Sequence, residues 1–159
     1  MSASSNSALE NIDRLALAPH PEGGHYVETF RSTNTVDVPA GKRSAMTSIY
    51  FQLQQNQVSR FHRLAHEEIW CWHEGGSATI HMIMSDGTYN THTVGPDADG
   101  VYSAVIPAGC WFGATTDSPH VLVSAIVAPG FDFADFELAD QQVLLDQFPG
   151  HADIIKRLT

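Results

Sequence analysis

Residues 59–76 read SRFHRLAHEEIWCWHEGG, and their spacing carries the fold assignment. His62 and Glu68 lie six residues apart, with Gly75 seven further on. Across a sharp bend between two strands, that spacing brings an imidazole and a carboxylate into one cavity. Beyond the bend, strand alternation puts Glu68, Trp70 and Trp72 on one face and Ile69, Cys71 and His73 on the other. A carboxylate sharing a face with two tryptophans suits a pocket whose aromatic walls hold a ligand while one polar group orients it.

Short segments rich in β-branched and aromatic residues surround this stretch, at 26–31, 46–53, 68–73, 78–84, 89–94, 102–106 and 121–127. Turn signals separate them, among them Pro39-Ala40-Gly41, Gly75-Gly76, Asp86-Gly87, Gly95-Pro96, Asp99-Gly100 and Pro107-Ala108-Gly109. Many short strands with Gly/Pro turns predict an all-β sandwich or barrel. Helical spacing is confined to the ends. Leu9, Ile12, Leu15 and Ala16 predict a short helix capped by Ser7, and 138–147 and 152–158 predict two more, split by Pro149-Gly150. The expected organisation is a disordered N-terminus at 1–7 and a single domain over 8–159.

Eighteen acidic against eight basic residues leave a net charge of −10, a poor match for nucleic acid or an anionic membrane. No apolar run reaches the length of a membrane span, and the first seven residues are polar. Cys71 and Cys110 are too few and too far apart for a disulfide framework or zinc knuckle, so both read as buried free thiols. The expected location is cytoplasmic.

These motifs resemble those of the cupins. The first cupin motif, G-x5-H-x-H-x(3,4)-E-x6-G, is matched at His62, Glu68 and Gly75. The second, G-x5-P-x-G-x2-H, resembles residues 100–112, GVYSAVIPAGCWF, with one extra residue after Gly100. HPEGG at 20–24 with its continuation HYVETFRS, IYF at 49–51, IPAGCWFGA at 106–114 and APGFDFADFEL at 128–138 are similar to a small single-domain cupin subgroup defined as a domain of unknown function. The resemblance implies a double-stranded β-helix, or jelly-roll barrel, with short terminal helices, and a homodimer whose N-terminal strand pairs with the partner's sheet. It also implies a departure. Metal-binding cupins use three histidines and a glutamate, whereas Leu64 and Phe112 stand at the second and last histidine positions. His62 and Glu68 alone would be left to hold a metal, so no metal or other cofactor is expected.

The expected pocket uses His62, Glu68 and Tyr50 for chemistry, with Arg60, Trp70, Trp111, Glu28 and Arg31 as ligand contacts. An imidazole titrates near neutrality, and a neighbouring carboxylate orients it. Alternation leaves open whether Tyr50 or Phe51 faces inward. Arg60 shares parity with His62, while Glu28 and Arg31 have opposite parity and share a cavity only across a bulge. Trp72 reads as barrel core, and His25, His92, His120 and His151 as surface. Phe131, Phe133 and Phe136 read as a stripe on the barrel exterior or in a dimer interface. Three functions fit the small-molecule ligand that such a pocket implies. One is a non-redox acid–base enzyme on a sugar-like or small oxygenated substrate, resembling the epimerase branch of the cupins. The others are a non-catalytic binding or sensing module and a metal enzyme with a non-standard ligand set.

Overall fold

The computed structural model of the chain describes residues 3–97 and 99–159. Its N-terminal half runs through helix α1 (Ala3–Leu15) and strands β1 (Ala18–Pro19), β2 (His25–Arg31), β3 (Thr35–Val38), β4 (Gly41–Ser44), β5 (Thr47–Gln54), β6 (Val58–Leu64) and β7 (Glu67–Gly75). Strands β8 (Ala78–Ile83), β9 (Tyr89–Val94), β10 (Ser103–Ile106), β11 (Trp111–Thr115), β12 (His120–Ala128) and β13 (Phe136–Leu138) follow, then helices α2 (Gln141–Gln147) and α3 (Ala152–Arg157). Two antiparallel sheets face each other in the jelly-roll arrangement, ordered β1-β2-β5-β12-β7-β10 and β13-β6-β11-β8-β9, with β3-β4 a separate hairpin.

Period-two patterning explains the core. Alternate residues of β5, β7, β8, β11 and β12 point between the sheets, where Phe51, Leu53, Trp70, Ile80, Met82 and Phe112 are almost wholly buried. A second, smaller core lies behind the five-stranded sheet. There Leu144 of α2, Ile155 of α3 and Leu158, which caps α3, cover Phe61, Ile83 and Trp111.

The ends differ from their sequence reading in two places. Helix α1 begins at Ala3, so Ser7 lies within it rather than capping it. It ends in a Schellman arrangement: Ala16 is left-handed at φ 54°, and the Leu17 N–H donates to the Ile12 carbonyl at 2.9 Å. Helix α2 starts three residues later than the predicted 138–147, because Phe136, Glu137 and Leu138 pair with Leu64, Arg63 and His62 of β6. Asp140 then caps α2 through the Val143 N–H at 3.0 Å.

Two bulges aim the side chains that matter. Along β2, Glu28 pairs with Ile49 and Phe30 with Ser48, so β2 carries one extra residue and Arg31 falls opposite Thr47. Along β6, His62 pairs with Phe112 but Ser59 with Ala114, leaving Arg60 and Phe61 opposite Gly113. Each bulge reverses parity beyond it.

Candidate functional site

A cavity of about 480 Å³ opens at one end of the barrel, between β2, β5, β6, β7 and β12. His62 reaches it from β6 and Glu68 from β7, the two residues that the spacing of 59–76 brings together. His62 Nδ1 lies 2.7 Å from the Arg60 carbonyl, which can only accept, so Nδ1 carries a proton. Nε2 is thereby turned to the cavity side, 3.1 Å from Oε2 of Glu22. Glu22 Oε1 accepts from the Ser59 hydroxyl at 2.8 Å.

Burial dominates the acidity of this cluster. It pushes the Glu22 carboxyl up and the His62 imidazolium down, so neither group favours its charged form. With Nδ1 carrying the imidazole's proton, the unprotonated Nε2 stands 3.1 Å from a Glu22 carboxyl oxygen, a close buried contact between two groups that both disfavour charge. Glu68 stands nearby with Oε1 accepting from the Trp70 indole N–H at 2.5 Å. Burial, reinforced by the Glu22 charge and opposed by His62 and the Trp70 bond, pushes Glu68 up to about 7. His20 completes the wall. It accepts the Glu22 backbone N–H at Nδ1, 3.1 Å away, and burial lowers its pKa.

Glu22 and His20 were not among the candidates from sequence. They lie in the HPEGG turn, some forty residues before His62, and strand alternation says nothing about a turn. The signal was the glycine pair. Gly23 has φ 111°, and a Cβ there would lie 2.2 Å from the Val58 carbonyl oxygen. That close approach seats the turn on β6, where the Arg60 N–H donates to the Glu22 carbonyl at 2.8 Å.

The remaining candidates divide. Trp70 lines the cavity and is almost wholly buried. Glu28 and Arg31 both reach its mouth through the β2 bulge, where the guanidinium grips the carboxylate at 3.1 and 2.7 Å. Three expected pocket residues, Tyr50 for chemistry and Arg60 and Trp111 as ligand contacts, lie elsewhere. Tyr50 faces away, because Thr47, Ile49 and Phe51 take the inward positions of β5; its ring meets His73 on the outer sheet surface. Arg60 is turned out by the β6 bulge and donates to the Pro21 carbonyl at 2.5 Å. Trp111 sits in the second core under the C-terminal helices, with the Arg63 guanidinium over its ring.

The aromatic stripe is corrected in the opposite sense. Phe131, Phe133 and Phe136 line the cavity mouth, and the Phe136 ring centre lies 5.4 Å from that of His62. The segment is fastened there by the Phe131 N–H to Thr47 Oγ1 at 2.8 Å and by a buried pair of Arg43 with Asp135 at 2.6 Å. His120, expected at the surface, is buried beside Glu74. Trp72 packs against the main core, as its reading as core implies.

The donor set does not fit the metal that many cupins carry. Leu64 lines the cavity, and Phe112 lies with its ring centre 4.0 Å from that of His62, so apolar carbon occupies the two remaining histidine positions. Among the described residues no three His, Cys, Asp or Glu side chains are gathered to hold a metal ion.

The comparisons agree with this architecture. The chain is 29% identical over 149 residues to the uncharacterised protein YML079W of Saccharomyces cerevisiae, covering 82% of this chain and 74% of the yeast one. The solved structure of protein SO0799 from Shewanella oneidensis superimposes with a TM-score of 0.90 at 39% identity, over 96% of both chains. A hypothetical protein from Leishmania major gives 0.89 at 35% identity, over 96% of this chain and 98% of that one. Bacillus subtilis oxalate decarboxylase shares the fold alone, at a TM-score of 0.59 and 16% identity, with 36% of its length covered. The family described as "Cupin superfamily (DUF985)" matches residues 9–139, and the chain belongs to it.

Proposed function

We propose that the barrel cavity binds a small oxygenated, sugar-like molecule and carries out non-redox acid–base chemistry on it. The observation that carries this reading is the 3.1 Å approach of a Glu22 carboxyl oxygen to Nε2 of His62 in the wall of an aromatic-lined cavity that opens at one end of the barrel. The unprotonated Nε2 of His62 takes a proton from carbon beside a carbonyl, with Glu22 3.1 Å away to stabilise the imidazolium formed. Glu68, half-protonated near neutrality, supplies one to the carbonyl oxygen. The product of those two transfers is an enediol. Returning the proton to the same carbon or its neighbour gives epimerisation or isomerisation, and loss of a neighbouring hydroxyl gives elimination. A binding or sensing role without turnover is the second reading, favoured by the largely apolar lining around the polar cluster.

The test is solvent exchange. The protein is incubated in D2O with a panel of small aldoses, ketoses and amino sugars, and proton NMR follows the hydrogens next to each carbonyl. Catalysed exchange that is lost in His62→Ala and in Glu22→Gln supports the reading. Exchange that survives in both variants defeats it, and saturable binding with no exchange selects the sensing role.

The same reading includes a homodimer in a reducing compartment such as the cytoplasm. Cys71 and Cys110 are free thiols, the state such a compartment maintains. The six-stranded sheet ends on an open edge, because β1 covers β2 only at His25 and Tyr26 among the described residues. A second copy pairing there would cover the rest of β2.

A further inference from the structure

Charge around the cavity is unbalanced in one direction. Four carboxyl groups line it, Glu22, Glu28, Glu68 and Asp132, against the single guanidinium of Arg31. Arg31 is already engaged: Nε and Nη2 hold the two oxygens of Glu28, and Nη1 donates to the Phe131 carbonyl at 3.1 Å. The wall imidazoles add no countercharge, since burial keeps His20 and His62 toward their neutral forms. The same burial raises the Glu22 and Glu68 carboxyls, which a cation entering beside them would return to their charged forms. Glu68 is 7% exposed, with Oε1 bonded to Trp70 and Oε2 making no hydrogen bond among the described residues. A carboxyl oxygen without a protein partner, on a buried residue that lines the cavity, is a position for a ligand's donor.

The rest of the lining specifies what carries that donor. Phe51, Trp70, Phe131 and Phe136 surround the acidic groups, and the negative faces of aromatic rings attract cations. A volume of about 480 Å³ suits an organic molecule with a ring rather than a bare ion. The net charge of −10 draws cations toward the protein and repels anions.

We propose that the ligand of this cavity is a small organic cation, a protonated amine on a five- or six-membered ring, with its ammonium held by Glu68 and Glu22 and its ring among Trp70, Phe51 and Phe136. The assignment rests on the cavity being a ligand site, and it adds the charge of the molecule that enters.

Three probes share one ring and differ only in charge: cyclohexylamine, cyclohexanol and cyclohexanecarboxylate. Their binding to the full chain is measured by calorimetry at pH 7.5 and one ionic strength. The amine is expected to bind about tenfold more tightly than the alcohol, and the carboxylate more weakly than either. Glu68→Gln is expected to cut the amine's preference over the alcohol from about tenfold to within about twofold. Asp132→Asn, at the exposed mouth, keeps the test open should the buried variant misfold; it is expected to weaken the amine by about twofold to threefold. Alcohol or carboxylate binding as tightly as the amine overturns the cation assignment and leaves the ligand pocket standing. Unchanged amine affinity in a folded Glu68→Gln overturns it equally. Failure of all three probes to bind overturns both the assignment and the pocket.

Discussion

Glu68 stands where burial, an indole N–H, an imidazole and a second carboxyl meet, and its environment couples ligand chemistry to stability. Its pKa is pushed from the ordinary 4.5 to about 7, chiefly by burial. The folded state therefore holds a proton that the unfolded chain gives up, and the sign follows from that difference. The stabilising contribution is complete below pH 4.5 and is lost as the pH rises through about 7, amounting to about 3 kcal/mol. Glu68→Gln, which keeps the shape and cannot ionise, should flatten the fall in melting temperature between pH 5 and 8. A variant that loses stability over that range as steeply as the parent would show that Glu68 is not the group responsible. The Glu22–His62 contact lies in the same desolvated wall. An alanine at either position leaves the other buried without its partner.

The HPEGG turn is the element that makes the site more than the His62–Glu68 pair. It places Glu22 against β6 because Gly23 lets the chain approach the Val58 carbonyl. Gly23→Ala meets both a left-handed φ of 111° and a backbone atom that cannot withdraw, and should cost about 1–3 kcal/mol while displacing Glu22. Thermal denaturation measures the first effect. Loss of cavity binding, with Gly76→Ala as a control at a glycine remote from the cavity, measures the second. A Gly23→Ala protein with parental stability would contradict the account of the turn.

Strands such as β9 were readable because alternation and flanking turns act over a few residues. Side-chain direction next to β2 and β6 was not, since each bulge is set by pairing with a distant strand and reverses parity. That is why Arg60 points outward and why Glu28 and Arg31 meet. The Phe131–Phe136 segment was misplaced for a related reason: only the folded sandwich shows that the chain returns across the cavity mouth after β12.

In the whole molecule, two cores divide the work of holding the cavity open. The inter-sheet core ends at Phe51, Trp70 and Leu64, which form the cavity's inner walls, and the second core fixes the back of the five-stranded sheet. The open edge of β2 lies at the same end of the barrel as Glu28 and Arg31, so dimerisation there would bear on the cavity mouth. Sedimentation equilibrium at micromolar concentration should give close to twice the 17.4 kDa chain mass. A single species at the chain mass would contradict the dimer and leave the cavity chemistry untouched.

The central claim is that the His62–Glu68 pair belongs to a larger buried acid–base cluster with Glu22. The direct measurement is an NMR pH titration of the folded protein, with 15N in the imidazoles and 13C in the side-chain carboxyls. The account predicts His62 neutral, with its proton on Nδ1, at and below its ordinary pKa of 6.5, and Glu68 titrating near 7. Observation of His62 protonated on both nitrogens near 6.5, with Glu22 and Glu68 titrating near the ordinary 4.5, would contradict it.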